Sequence, residues 1–193
     1  MTCIAQDIQL MKPDTVGGKP LMQCLKERKT TRSFDSKPLP PQALSNLLWA
    51  AFGKNRSDGR RTAPSAMNRQ EIDIYVAMQS GLYLYDASSQ SLKLVVKGDV
   101  REKTGTQSFV KDAPIDIVYV LDLSKTGKES SEEQTVYTAA DCGFIAQNVY
   151  LYCASEDLAC VVRASIDKPA LSKAMSLRSD QKIILSQTVG YPK

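Results

Sequence analysis

The first half of the chain alternates between polar segments and stretches with apolar residues at helical spacing. Residues 1–19 are polar and turn-rich, which predicts an extended N-terminal arm. Pro20 suits a helix start, and the short helix predicted after it carries Leu21, Leu25 and Met22 on its apolar face. The segment "QALSNLLWAAFG" predicts a second helix with Gly53 as its C-terminal cap. Its apolar positions are Leu44, Leu47, Leu48 and Phe52.

The pattern changes to strands after residue 71. "IDIYVAMQ" alternates apolar and polar positions from Ile72 to Met78, and "GLYLYD" and "SLKLVV" follow after turn residues. Three such strands joined by short turns predict an antiparallel meander. "APIDIVYVLDL" is apolar almost throughout and predicts a central strand that is buried on both faces.

The longest helix is predicted from Gln134 to Ala159, behind a capping box formed by Ser130 and Glu133. It is apolar on most of its circumference, which is typical of a fully buried helix or of a subunit interface. The strand "CVVRASI", a helix capped by Asp167 and the strand "KIILSQTVGYPK" close the chain.

Helices and antiparallel strands therefore interleave without a regular βαβ rhythm, which predicts the α+β class and a mostly antiparallel central sheet flanked by helices. The chain of 193 residues is long enough for one substantial core. We expect a single domain over residues 20–193, preceded by the arm. Residues 54–71 form a long polar loop between structured elements, and loops of this length are usually functional or disordered.

Composition excludes several kinds of chemistry. The chain has no histidine, which removes Ser-His-Asp and Cys-His catalysis and every metal site that needs imidazole. A net charge of +4, spread over a chain with 21 acidic residues, is unlike a nucleic-acid-binding protein. Chemistry carried by a bound cofactor is therefore favoured over hydrolysis.

The cysteines and the N-terminus bear on the cellular compartment. The five cysteines form no C-x-x-C pair, so buried free thiols are favoured over a disulfide framework. The N-terminus lacks the pattern of a signal peptide and no apolar run is long enough to span a membrane, so we expect a cytoplasmic protein. A leader trimmed near Cys3 would leave the same sequence, and an exported form stays open.

Two segments are candidates for binding. In "ERKTTRS", the basic residues Arg28, Lys29 and Arg32 surround Thr30, which suits either the C-terminal dipole of a helix or a phosphate site. In "RTAPSAMNRQ", small polar residues precede the first strand of the sheet, which suits either an ordinary turn or the polar edge of a planar heterocycle. Taken alone, neither segment decides between its two interpretations.

Taken in order, these segments resemble the FMN-dependent nitroreductase superfamily, and within it the SagB-type (thiazole/oxazole oxidase-like) dehydrogenases. "ERKTTRSFDSKPL" is similar to the superfamily signature R-R-S-x-R-x-F, with Lys29 and Thr30 in place of its second arginine and its serine. "LLWAAFGKNR", "RTAPSAMNRQEIDIYV", "GLYLYDASSQSLKLVVKGDVR" and "AADCGFIAQNVYLYCASEDLACVV" resemble blocks of that branch in the same order. The resemblance covers residues 21–193.

The resemblance implies a homodimer with two FMN sites, each built from both chains, and NAD(P)H as electron donor. Its motifs place the FMN phosphate and ribityl chain at Arg28, Lys29, Thr30 and Arg32, with Lys193 as a further phosphate-binding cation. They place Pro64, Ser65, Ala66 and Asn68 against the isoalloxazine, from the partner subunit, and the backbone of Arg163, Ala164 and Ser165 beside flavin N5 and O4. The long helix would form the dimer interface.

The implied activity is NAD(P)H-driven reduction of a small organic acceptor by ping-pong hydride transfer through flavin N5, with no catalytic side chain and no metal. Dehydrogenation of a C–N bond in a peptide or small molecule, and a flavin-binding module without turnover, are the alternatives. The chain departs from the family pattern at three places. Arg163-Ala164-Ser165 replaces a common glycine, Tyr137 lacks the lysine expected before it, and Met67 stands where glycine is common.

Overall fold

A computed structural model describes residues 6–193. Cys3 and the proposed leader remnant lie outside the described residues. The described part contains one sheet with strand order β1-β5-β4-β3-β6-β8-β2, and β7 also pairs with β8. The strands are β1 (Ile8–Gln9), β2 (Phe34–Asp35), β3 (Ile72–Met78), β4 (Gly81–Asp86), β5 (Ser91–Lys97), β6 (Ile115–Asp122), β7 (Ala159–Arg163) and β8 (Gln181–Pro192). Every pairing is antiparallel, which confirms the α+β class.

The helices are α1 (Leu21–Glu27), α2 (Pro41–Phe52), α3 (Ser131–Ser155) and α4 (Lys168–Ala174). The Gly53 N–H closes α2 on the carbonyl of Trp49, and a Cβ at residue 53 would lie 2.7 Å from the Trp49 backbone. The predicted capping box of Ser130 and Glu133 is present at the start of α3. Asp167 caps α4 through a hydrogen bond from the Ala170 N–H.

The sheet is covered on both faces. Ile72, Ile74 and Val76 of β3 belong to the larger core with residues of α2 and α3, as their alternation predicts. Tyr75 and Ala77 point to a second core on the other face, where α4 packs. All eight residues of β6 are buried, which confirms the predicted central strand.

The structure corrects the two predicted boundaries of the longest helix. α3 starts at Ser131 rather than Gln134, and it ends at Ser155 because Asp157 adopts a left-handed φ of 54°, which breaks the helix. Ala159 therefore belongs to β7. The link between β5 and β6 contains two short 3₁₀ turns, Arg101–Thr104 and Ser108–Lys111.

Two helices expose apolar residues in the single protomer. The predicted apolar face of α1 points to solvent, with Leu21 at 62% and Met22 at 75% exposure, and only Cys24 of this helix is buried. α3 buries one face, while Val136 and Phe144 on the rest of the helix are 59% and 47% exposed. Full burial of α3 within the protomer is therefore wrong, and the subunit interface stays a prediction.

The described cysteines are buried free thiols, as predicted: Cys24, Cys142, Cys153 and Cys160. Burial raises the pKa of the Cys142 thiol to about 12, which removes it as a nucleophile at neutral pH. No helix in residues 6–193 combines the length and the apolar character that crossing a membrane requires.

Candidate active site

The basic segment of the predicted phosphate site lies beyond helix α1 rather than in its last turn. α1 has only seven residues, its last turn contains Lys26, and Arg28 is its C-cap. Lys29, Thr30 and Arg32 follow in an extended, exposed stretch. The dipole of so short a helix acts only within its last turn, so it does not account for these three residues.

Tyr150 of α3 anchors this segment. Its hydroxyl lies 3.1 Å from the Thr30 hydroxyl and accepts a hydrogen bond of 3.0 Å from the Val162 N–H of β7. The Arg28 guanidinium lies 5.4 Å from the centre of the Tyr150 ring, within the range of a cation–π contact. The Thr31 N–H donates to the Cys160 carbonyl at 3.0 Å. These contacts fix the segment against the edge of β7.

A cavity of about 610 Å³ opens beside the anchored segment. Its lining includes Lys29, Thr31, Tyr150, Asp157, Glu27 and Lys193. The fold thus brings Lys29 together with Lys193, which is 164 positions later in the numbering of the sequence. Arg28 and Arg32 flank this cavity without belonging to its lining.

The acidic residues of the cavity are paired. Lys19 donates to the Glu27 carboxylate at 3.0 Å and also forms an ion pair with Asp157. Both hydrogen bonds raise the pKa of Lys19, and the one to Asp157 has the larger effect. Lys19 of the N-terminal arm therefore links Glu27, at the end of α1, to Asp157, just beyond α3. This gives Glu27 a structural role and leaves the nearby lysines available for an anion.

The second predicted segment forms a tight turn in which side chains bind two backbone N–H groups and three residues adopt a left-handed φ. Met67, Asn68 and Gln70 have φ values of 51°, 55° and 53°. The Ser65 hydroxyl accepts from the Gln70 N–H at 3.0 Å, and the Asp141 carboxylate of α3 accepts from the Ala66 N–H at 2.9 Å. Because a left-handed φ suits glycine best, this backbone explains why glycine is common at the position of Met67 in the resembling proteins.

A buried pair of carboxyl groups supports that turn. Glu71 and Asp141 are each about 3% exposed, and one oxygen of Glu71 has no hydrogen-bond partner among the described residues. Burial, together with the neighbouring Asp141 carboxyl, raises the pKa of Glu71 to about 7. Arg69 is ion-paired with Glu129 beside this pair. Glu71 is therefore largely protonated below neutral pH and can share a hydrogen bond with Asp141.

The third predicted segment, at the end of β7, directs one side chain inward. Arg163 is 5% exposed and donates to Asp116 at 2.8 Å, to the Thr104 carbonyl at 2.8 Å and to the Thr188 hydroxyl at 2.8 Å. Burial lowers the pKa of Arg163, and the Asp116 carboxylate opposes this shift. A Cβ on Gly105 would overlap the guanidinium, so glycine is needed there.

The backbone after Arg163 is free to meet a ligand. Ala164 and Ser165 are exposed, and the Ser165 carbonyl accepts from the Thr106 N–H at 3.1 Å. The Arg163 side chain is committed to the core, so the exposed part of this segment consists of its main chain and the small side chains of Ala164 and Ser165. The backbone role that the resemblance implies for residues 163–165 stays a prediction.

Comparison with known proteins identifies the family. The family model described as "Nitroreductase family" matches residues 25–191. The chain belongs to the nitroreductase family. A protein of Methanocaldococcus jannaschii that carries the nitroreductase name is 28% identical over 151 residues, which covers 73% of this chain and 76% of that protein.

Solved structures agree with this assignment. A crystal structure from Ralstonia eutropha, also named as a nitroreductase, has a TM-score of 0.93 and 45% identity, and covers 97% of this chain and 90% of that chain. The NADPH:FMN oxidoreductase of Vibrio harveyi, complexed with NAD⁺, has a TM-score of 0.68 at 17% identity over 90% of this chain and 69% of that chain, which shows the shared fold. As a nitroreductase-family member, the protein is an oxidoreductase enzyme.

Sequence reasoning missed the residues that hold the candidate site in place. Tyr150, Asp141 and Asp116 are distant in sequence from the segments that they anchor. A carboxylate within an apolar helix or strand is the signal that could have identified the two aspartates, since a buried carboxylate needs a partner. Tyr150 carried no such signal, because tyrosine is common in apolar faces.

Proposed function

We propose that this nitroreductase-family protein is an FMN-dependent oxidoreductase that uses NAD(P)H to reduce a small organic acceptor by a ping-pong mechanism. One observation carries the proposal: the cavity beside the anchored basic segment has Lys29 and Lys193 in its lining, two cations suited to a phosphate monoester. Its volume of about 610 Å³ lies in the range of small-molecule and cofactor sites. The flavin, when bound, would carry the hydride transfer at N5.

The residues of the chain would bind the flavin and orient it. Lys29 and Lys193 would neutralise the phosphate, while Arg28, Thr30 and Arg32 would hold it and the ribityl chain from the rim of the cavity. The exposed main chain of residues 163–165 would border the reacting edge of the ring. Residues Pro64, Ser65, Ala66 and Asn68 line or flank a separate cavity of the same protomer. They would therefore serve the ring bound by the partner subunit.

We also propose a homodimer, because the protomer leaves apolar residues exposed on two neighbouring helices. These are Leu21, Met22 and Leu25 on α1 and Val136 and Phe144 on α3. α1 packs against α3, so the two helices that expose these residues are neighbours in the protomer. Light scattering coupled to size exclusion tests this arrangement, and a stable monomer would contradict it. The division into an arm, residues 1–19, and one domain, residues 20–193, stays a prediction.

An absorbance spectrum of the purified protein tests the cofactor. We expect flavin bands, retained after desalting, and bleaching of these bands on anaerobic addition of NADH or NADPH. Protein that shows no flavin absorbance and binds no added FMN would refute the proposal. Bound FMN that NAD(P)H cannot reduce would instead indicate a flavin-binding module without turnover.

The phosphate assignment is tested with matched lysine variants. Lys29→Ala and Lys193→Ala should each weaken FMN binding by roughly 1.5–3 kcal/mol, because each removes a charge-assisted hydrogen bond. Lys26→Ala is the control, since Lys26 lies three residues before Lys29 in α1 and outside the cavity lining. Equal FMN retention in all three variants would reject the assignment. Fluorescence quenching of free FMN measures the affinities.

Dehydrogenation of a C–N bond in a peptide or small molecule, as the SagB-type resemblance implies, is the alternative reaction. It needs oxygen or another acceptor and no NAD(P)H. Turnover of such a substrate in air without NAD(P)H, with consumption of oxygen, would favour it over the proposed reductase.

A further inference from the structure

A second cavity, of about 380 Å³, lies beside the turn that we propose to face the flavin ring. Its lining combines arginines of the long polar loop with residues of the turn, including Arg56, Arg60, Arg61, Pro64, Ser65 and Asn68. No acidic residue belongs to this lining, in contrast to the cavity that contains Lys29, where Glu27 and Asp157 are present. The lining of the cavity by the turn therefore contains three arginines and no carboxylate.

The loop that carries these arginines has a defined shape. Lys54 and Arg61 form an antiparallel bridge, and the Asn55 N–H donates to the Arg60 carbonyl at 3.2 Å. Gly59 takes a φ of +82°, which a glycine adopts at low cost, and the loop reverses at this point. Residues 54–61 thus form a small hairpin that presents Arg56 and Arg60 to one cavity.

The three guanidinium groups differ in how far they are already used. Arg61 is half-buried, donates to the Phe52 carbonyl at 3.0 Å and to Gln70 at 2.7 Å, and lies 4.7 Å from the centre of the Phe52 ring. Its role is structural. Arg56 is exposed, and the partner found for its side chain is the neutral amide oxygen of Asn55, at 3.2 Å.

Arg60 is also available for a ligand. It is exposed and its partner is the neighbouring, half-exposed Asp58 carboxylate at 3.1 Å. An exposed pair between neighbouring residues contributes little free energy and exchanges readily for another anion. Arg56 and Arg60 therefore offer guanidinium donors that the fold does not require for its own packing. Paired guanidinium groups match the oxygens of carboxylates and phosphates.

From this geometry we infer that Arg56 and Arg60 bind an anionic group, a carboxylate or phosphate, on the substrate that reacts at the neighbouring flavin. This inference rests on the proposed function and adds a substrate class to it: organic anions are preferred over their neutral or less charged counterparts. The anionic group belongs either to the nicotinamide donor or to the acceptor. Both sources present the same chemistry to the two arginines.

Two substrate pairs distinguish the sources in assays of the FMN-loaded protein. NADPH carries one phosphate more than NADH, and 4-nitrobenzoate carries a carboxylate that nitrobenzene lacks. Arg56→Ala and Arg60→Ala should each lower kcat/KM for the more highly charged member of one pair, NADPH or 4-nitrobenzoate, by about tenfold. The loss should appear mainly in KM, because each variant removes a charge-assisted contact. The other member of that pair should change by less than about twofold.

Two further variants and a binding measurement complete the test. Lys54→Ala removes a positive charge from the same hairpin outside the cavity lining, and should leave both pairs unchanged. Arg56→Lys keeps the charge but loses the forked donor, and should recover only part of the discrimination. Calorimetric titration of the oxidised protein with NADP⁺, NAD⁺ and 4-nitrobenzoate should show the same ranking without turnover, with weaker binding of the anion at higher salt.

The outcomes separate this inference from the proposed function. If the wild-type protein turns over and both arginine variants keep its preference within each substrate pair, the arginine assignment alone is overturned. Equal losses on all four substrates, together with loss of FMN, overturn it as well, since they indicate a structural or flavin-binding role. Wild-type protein without flavin refutes the proposed function and this inference together.

Discussion

Removal of the Asp116 carboxylate tests whether the buried ion pair behind the candidate flavin site is essential to the fold. Asp116 is fully buried and bonds to the Arg163 guanidinium at 2.8 Å and to the Thr188 hydroxyl. Asp116→Ala leaves the Arg163 charge buried with no compensating carboxylate. Breaking a buried pair in this way costs about 3–5 kcal/mol. We therefore expect the free energy of unfolding to fall by that amount.

A matched pair at the other end of strand β6 provides the control. Asp122 bonds to Arg178 at 2.9 Å, but the Arg178 side chain is 54% exposed and can be solvated when its partner is removed. Asp122→Ala loses this pair, in which only Arg178 is exposed, and the contact from the Ser124 N–H, together worth about 1–2 kcal/mol. Urea denaturation followed by circular dichroism, at one protein concentration and one FMN concentration, gives both values.

The double variant Asp116→Ala, Arg163→Met supplies the result that would refute this reasoning. It removes both buried charges, so it should be less destabilised than Asp116→Ala alone. If Asp116→Ala costs no more than Asp122→Ala, or if the double variant is the least stable of the three, the ion pair does not have the energetic role that its burial indicates.

Three further changes probe the supporting contacts. Gly105→Ala should lower the free energy of unfolding by about 1–3 kcal/mol in the same urea assay, because the new methyl group would overlap the Arg163 guanidinium. Met67→Gly should change it by less than about 1 kcal/mol, since relief of the left-handed φ offsets the greater entropy of glycine; a loss above that would contradict the turn geometry. Since the folded protein raises the pKa of Glu71 from 4.5 to about 7, its contribution to stability is complete below pH 4.5 and is lost as the pH rises through 7. Glu71→Gln stays neutral at every pH and should flatten this dependence of the free energy of unfolding on pH. The effect is worth up to about 3 kcal/mol between pH 4.5 and pH 7.5, measured by urea denaturation at both pH values. An unchanged dependence in the variant would show that Glu71 is not its source.

Local sequence patterns determined most of the elements because each pattern acts within a few residues. The alternation from Ile72 to Met78 decided which side of β3 faces the larger core, and the uniform apolar run of β6 decided that this strand is central. The Ser130–Glu133 box decided where α3 can begin. The absence of histidine and the order of the motif segments led to a nitroreductase-like oxidoreductase before any contact was known.

Only the tertiary structure decided how the candidate site is held. The Asp141 carboxylate reaches the turn at Ala66 across 75 positions, and Tyr150 reaches Thr30 across 120. Such contacts depend on how helices pack on the sheet, and this packing is set by the whole core rather than by neighbours in the chain. The sequence by itself showed which residues could bind an anion. Packing decided that Arg163 turns inward, that Glu27 pairs with Lys19, and that Lys29 and Lys193 line one cavity.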